Sequence, residues 1–244
     1  GIHAAGFETK VAIEFIKSCV ETYSYNHPEV HVIHSDIRDV TAEQILPYVP
    51  EGGVDLVTSG MPCETFSTAG NSSRAAYDDR QFLFREGIRI AQICNAKMIL
   101  FENVPMITTK RVSKESKELV INVLKRELEE AGYINYKEFV LDASKYGVPQ
   151  RRNRFFILAA KDEKYQIEAP EETCDKEVTV REAFIDIPEV VANTWTENPI
   201  YNEEESEYSL LMKNDKFWRR TTKEKKLLNH LPMNHRKHII ERFG

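Results

Sequence analysis

The stretch VDLVTSGMPCETFSTAG, residues 54–70, passes from an apolar, β-branched run directly into Gly60 and the Met-Pro-Cys-Glu segment. A short apolar run closed by turn residues reads as a buried strand. Cys63 therefore falls just beyond a strand's carboxyl end. The same arrangement recurs on both sides. "KVAIEF" (10–15) reads as a strand with Glu14 at its end, followed by a helix in "IKSCVETYSYN". "EVHVIHSD" (29–36) reads as the next strand and ends on Asp36. After a helix over roughly 80–95, "AKMILFENV" (96–104) brings Glu102 and Asn103 to the end of another strand. Strands alternating with helical patterns predict an α/β fold with a mostly parallel sheet covered on both faces. In such sheets ligands bind where the carboxyl ends of the strands converge. Four polar strand ends pointing one way imply one cleft, with Glu14 and Asp36 on one side and Cys63 and Glu102 on the other.

Farther along, "KESKELVINVLKRELEEAGY" places Leu119, Val120, Val123, Leu124 and Leu128 on one helical face, with Gly132 positioned to end the helix. "YKEFVLD" and "RFFILAAK" are joined by "ASKYGVPQRRN", which predicts an antiparallel hairpin at the sheet edge. The alternation stops after residue 162. "TVRE" (179–182) has capping-box form and predicts a short helix, whereas 186–215 reads as loop-rich and acidic. The expected division is a core over 1–162 and an extension over 163–244.

Composition narrows the chemistry. With 244 residues, 41% hydrophobic, the chain can bury one substantial core. No apolar run is long enough to span a bilayer and no secretory leader is recognisable, so no membrane partner is expected. Cys19, Cys63, Cys94 and Cys174 are widely spaced, with no CxxC pair, which argues against a zinc site or a disulfide framework. His235 and His238 have the spacing of a surface pair. A formal net charge of −6 argues mildly against a nucleic-acid partner, but the average conceals local segregation. Acid gathers in "EEESE" (203–207), while "KFWRRTTKEKK" (216–226) and "HRKHIIER" (235–242) are basic. By itself, a cysteine after a strand is more often a small buried hydrophobe than a nucleophile.

The ordered set of motifs resembles the cytosine-C5 DNA methyltransferases over about residues 1–188. "GMPCETFSTAG" is similar to that family's Pro-Cys loop, "FENVP" (101–105) to its Glu-Asn-Val motif, and "QRRNR" (150–154) to its Gln-Arg-x-x-Arg-type motif. "AAGFETKVAIEF" and "HSDIRDV" are similar to its two cofactor-side segments. The resemblance implies a Rossmann-like methyltransferase fold, S-adenosyl-L-methionine as methyl donor and double-stranded DNA as partner, in a restriction-modification or phage setting. A cytoplasmic, nucleoid-associated location would follow.

The same resemblance assigns roles. Cys63 would add to carbon 6 of a flipped cytosine, and Glu102 would meet nitrogen 3 and the exocyclic amine. Arg152 and Arg154 would contact the base oxygen, the thiolate and a phosphate. Pro62, Asn103, Val104 and Gln150 would line the base, with Asn103 holding the loop. On the cofactor side, Glu14 would take the ribose hydroxyls, Asp36 and the Ile37 backbone would read the adenine, Phe15 or Ile37 would pack on its ring, and Pro62 would border the pocket. The family also opens with a strand and a glycine-rich turn, for which "GIHAAGF" offers no counterpart, and closes with a target-recognition domain. Both are expected outside these residues, the latter downstream or on a second polypeptide. Three rival readings are an RNA (tRNA) cytosine-5 methyltransferase, a non-catalytic DNA-binding subunit, and a cysteine hydrolase. The last would need a histidine base near the thiol, and none is in the set of Glu14, Asp36, Cys63 and Glu102.

Overall fold

The computed structural model describes residues 1–60, 79–190 and 200–218, together with 227, 230, 238 and 241. Pro62 and Cys63 lie outside the described residues, as do most of the two basic runs near the C-terminus. Contacts divide the chain into two compact units. One comprises Thr9–Tyr146 and Arg151–Thr173; the other comprises Gly1–Glu8, Gly147–Gln150 and Cys174–Gly244.

The larger unit begins with β1 (Val11–Glu14), α1 (Lys17–Asn26) and β2 (His31–His34), a parallel pair joined by a crossover helix. A 3₁₀ turn at Ile37–Asp39 leads to α2 (Ala42–Ile45), which starts on a capping box between Thr41 and Gln44. Then come β3 (Leu56–Gly60), α3 (Phe84–Ile93) and β4 (Met98–Asn103), again parallel. α4 (Val120–Glu130) precedes the antiparallel pair β5 (Asn135–Asp142) and β6 (Asn153–Ala160). β6 inserts beside β4, giving the order β3-β4-β6-β5 with β5 at the edge, as the hairpin reading predicted. β1 and β2 form a separate two-stranded sheet. Among the described residues, β1 and β3 each have a ladder partner on one side only.

Hydrophobic spacing explains the packing. α4 buries Val120, Ile121, Val123, Leu124 and Leu128 against a cluster that includes Ile99, Phe101, Phe155 and Ile157 of β4 and β6. Each such fully buried side chain contributes roughly 1.5–3 kcal/mol. The helix ends at Gly132, whose φ of +88° is the left-handed conformation that glycine adopts without a steric penalty. It begins later than its sequence pattern suggests. Arg111 bridges Leu119, and the Val112 amide donates to the Glu118 carbonyl, so residues 111–119 close a small loop before the helix. A second cluster of Ile33, Val40, Ile45, Ile90 and Cys94, joined by Val11, Ile13, Ile37 and Val57, ties both sheets to α3.

In the smaller unit, α5 (Val180–Phe184) starts on the predicted capping box, Thr179 and Glu182. The stretch read as loop contains α6 (Glu207–Met212), capped by Ser206 and Ser209, with α7 (Asp215–Trp218) after it. A six-residue helix following an acidic run is too short to show a hydrophobic period, which is why the pattern read as loop. The Ser206 hydroxyl donates to the Glu182 carbonyl at 2.6 Å, and Lys213 pairs with the buried Asp186 at 2.6 Å. No described helix is long and apolar enough to cross a membrane.

Candidate active site

β3 and β4 run side by side with Gly60 opposite Glu102, so the chain leaves β3 next to that carboxylate, three residues before Cys63. A Cβ added to Gly60 would stand 3.9 Å from Glu102 Oε2. On its other side Glu102 faces Phe156 of β6. Side chains two apart on a strand share a face, which brings Arg154 to the same surface. Its Nε donates to Glu102 Oε1 at 2.8 Å, with the two side chains 18% and 39% exposed. Arg154 Nη1 also donates to the Asn153 carbonyl at 2.9 Å. An arginine in this position holds a carboxylate in one orientation while leaving its second oxygen, Oε2, toward Gly60.

Asn103 is 1% exposed. Its Oδ1 accepts from the Val104 amide at 2.8 Å, fixing the turn that leads into Pro105, while its Nδ2 is buried with no partner among the described residues. Val104 packs beside the core. Arg152 does not join this group. Its side chain is exposed, and its backbone amide donates to Asp142 Oδ1 at 3.0 Å. The Ser144 amide and then the Arg152 amide hold the Asp142 carboxyl below its usual range. The Gln150 amide donates to the Val148 carbonyl within the smaller unit. Of the two candidate arginines, Arg154 is therefore the one that meets the Glu102 carboxylate.

On β1 and β2 the expected cofactor groups stand at strand ends. Glu14 Oε1 accepts from the amide of Ile16, the residue just before α1, at 2.7 Å, and its Oε2 has no partner among the described residues. Phe15 is 68% exposed, and its carbonyl meets His34 Nε2 at 3.1 Å. Asp36 is gripped by Arg38: Nε donates to Oδ1 at 2.9 Å, Nη2 to Oδ2 at 2.5 Å, and the Arg38 amide to Oδ1 at 3.0 Å. These hydrogen bonds, the side-chain ones foremost, lower the Asp36 pKa to about 2. The Ile37 amide has no acceptor among the described residues. Arg38 was missed in the sequence although it lies only two positions from Asp36; its proximity was the available signal.

Parallel strands alternating with helices, polar groups at the carboxyl ends of β1, β2 and β4, and a closing antiparallel pair define the α/β fold of S-adenosylmethionine-dependent methyltransferases. The chain belongs to the C-5 cytosine-specific DNA methylase family, whose family model matches residues 1–241. It is 30% identical over 213 residues to the type II methyltransferase M1.HphI of Haemophilus parahaemolyticus, covering 87% of this chain and 55% of that protein. It is 29% identical over 250 residues to M.DdeI of Desulfomicrobium norvegicum, covering 100% of this chain and 57% of that one. The chain thus spans about half the length of these relatives. Among solved structures it is similar in fold to a candidate DNA modification methyltransferase encoded within an E. coli prophage, with a TM-score of 0.63, 24% identity, and 83% and 57% of the two chains covered. It is also similar to a mutant of Spodoptera frugiperda DNMT2, with a TM-score of 0.54, 25% identity, and 78% and 57% coverage.

Proposed function

We propose that this chain carries the catalytic core of a DNA (cytosine-5-)-methyltransferase of restriction-modification type, acting on a cytosine flipped out of double-stranded DNA. The observation that carries this reading is Glu102, held by Arg154 at the end of β4 beside the strand that leads to Cys63. Carbon 5 of cytosine is a poor nucleophile. Addition of the Cys63 thiolate to carbon 6 makes the ring an enamine, whose carbon 5 can attack an electrophilic carbon. Electron density drawn toward nitrogen 3 during that addition is met by Glu102, which donates a proton or hydrogen bond there while its other oxygen accepts from the exocyclic amine. Arg154 orients that carboxylate, and Arg152, whose side chain is exposed on the preceding turn, would reach the base oxygen or a phosphate. Asn103 and Val104, at the end of β4, complete the base side. A base stacked in a duplex is out of reach of the thiol, so protein contacts must offset an extrusion cost of a few kcal/mol.

The methyl donor of this reading is S-adenosyl-L-methionine, which when bound supplies an electrophilic methyl group. The residues present fit it. Among the described residues, Glu14 Oε2 is free to accept from a ribose diol, the Ile37 amide is free to donate, and Asp36 Oδ2 accepts one hydrogen bond and can take another. Phe15 is exposed beside them for a ring to pack on. The open edges of β1 and β3 support a further strand between them from outside the described residues, and the chain's share of its relatives' length supports a recognition domain elsewhere, downstream or on a second polypeptide.

Duplex DNA carrying 5-fluorocytosine tests the assignment, because fluorine at carbon 5 blocks the final elimination. The full-length protein with methyl donor is expected to form a denaturation-resistant adduct with this duplex in preference to a transfer RNA carrying the same base. Adduct formation that survives Cys63→Ser would refute the nucleophile.

A further inference from the structure

We propose that Arg89, on α3, is a positioning residue for the turn at residues 36–40 and through it sets how adenine is read. The inference rests on the reading of that turn as part of the cofactor site. Arg89 crosses from the helix to the turn. Its Nη2 donates to the Ile37 carbonyl at 2.7 Å and its Nη1 to the Val40 carbonyl at 2.8 Å, while its Nε is held by Glu86 Oε2 at 2.6 Å. The turn's own bond to the Ile37 carbonyl, from the Val40 amide, is long at 3.4 Å. Arg89 therefore provides the shorter and charge-assisted contact at that oxygen.

The peptide between Ile37 and Arg38 is consequently fixed at both ends. Its carbonyl is held by Arg89, and its N–H by Asp36 Oδ1 at 3.0 Å. Beneath the turn, Ile37 and Val40 pack with Ile90 of the same helix, so apolar contact and guanidinium act on one short segment. Two groups remain uncommitted. Asp36 Oδ1 already accepts two hydrogen bonds, but Oδ2 accepts only one, and the Ile37 amide has no acceptor among the described residues. One donor and one acceptor, side by side and rigidly held, match the acceptor nitrogen and the amino group on adenine's edge. Local sequence could not build this arrangement, because Arg89 lies 52 positions from Ile37. Holding the pair in advance spares a ligand the ordering cost that a loose turn would impose.

The experiment compares two ligands on the full-length protein by calorimetry: S-adenosyl-L-homocysteine and its analogue with purine in place of adenine, which lacks the 6-amino group. The parent is expected to prefer the adenine ligand. Arg89→Met is expected to bind it about 10-fold more weakly and to lose most of the preference, since the purine analogue never used the aligned acceptor. Arg89→Lys, which keeps the charge and one donor, is expected to fall between them and serves as the deciding variant if Arg89→Met does not fold. A general loosening of structure would weaken both ligands equally, so an unchanged preference in folded Arg89 variants overturns the proposal. A parent that binds neither ligand overturns the cofactor reading itself, and the proposal with it.

Discussion

Replacing Gly87 with alanine sets two known effects against each other, and the structure decides the sign. Gly87 is buried in α3. An alanine there gains about 1 kcal/mol of helix propensity over glycine. Its Cβ, however, would stand 2.7 Å from Phe101 Cε1, 3.1 Å from Phe101 Cζ and 3.1 Å from Ser59 Oγ. Carbon atoms in ordinary contact sit about 3.5–4.0 Å apart, so helix and sheet must separate by nearly the difference. Ser59 can rotate its hydroxyl. Phe101 cannot swing away, because it is 1% exposed and enclosed by the main core cluster. Overpacking costs about 1–3 kcal/mol, and a 2.7 Å approach to an enclosed ring falls in the upper part of that range, so it outweighs the propensity gain. We expect Gly87→Ala to lower stability by about 1–2 kcal/mol, with the urea midpoint reduced at constant slope and the melting temperature down by about 2–8 °C. Phe101 directly precedes Glu102, so methyl transfer is expected to fall as well. An unchanged or raised midpoint would show that the helix stands farther from β3 and β4 than these distances say.

Two further outcomes follow from the hydrogen bonding. Arg38 holds Asp36 at about 2, below its reference of 3.8, so the charged pair's stabilisation is fully present above 3.8 and is lost as pH falls through about 2. Arg38→Gln is expected to shift that titration upward and make cofactor affinity decline below about pH 5, whereas the parent stays level to pH 4; identical binding profiles would sink the idea. Tyr133, fully buried, donates from its hydroxyl to the Ala96 carbonyl at 2.9 Å, and burial pushes its pKa up to about 12. Tyr133→Phe is expected to cost about 1–3 kcal/mol in urea unfolding by stranding that carbonyl, and a loss below about half a kcal/mol would mean that water reaches it.

Most strands were legible because they are short apolar runs, β-branched or aromatic in part, bounded by turn residues, and the amphipathic face of α4 was legible because its apolar positions recur at helical spacing. The start of α4 was not, since it depends on the bridge from Arg111 to Leu119. Glu102 could be read as a strand-end carboxylate, but its choice of Arg154 over Arg152 depends on the register of β4 against β6, which places Phe156 and hence Arg154 on its face. Arg89 escaped the reading for a similar reason: its two partners on the turn are carbonyl oxygens, which leave no mark in the sequence of side chains.

The two half-paired strands also bear on how these residues behave in a test tube. β1 is Val-Ala-Ile-Glu and β3 is Leu-Val-Thr-Ser-Gly, and neither carries a lysine, a proline or a bulge to discourage an incoming strand. Natural edge strands use such features to keep neighbouring molecules from docking backbone to backbone. Left uncovered, those two edges would offer any neighbouring molecule unguarded templates, and cross-strand association would compete with folding in proportion to concentration. A soluble preparation of this chain would therefore depend less on its surface charge than on what lies along those two edges.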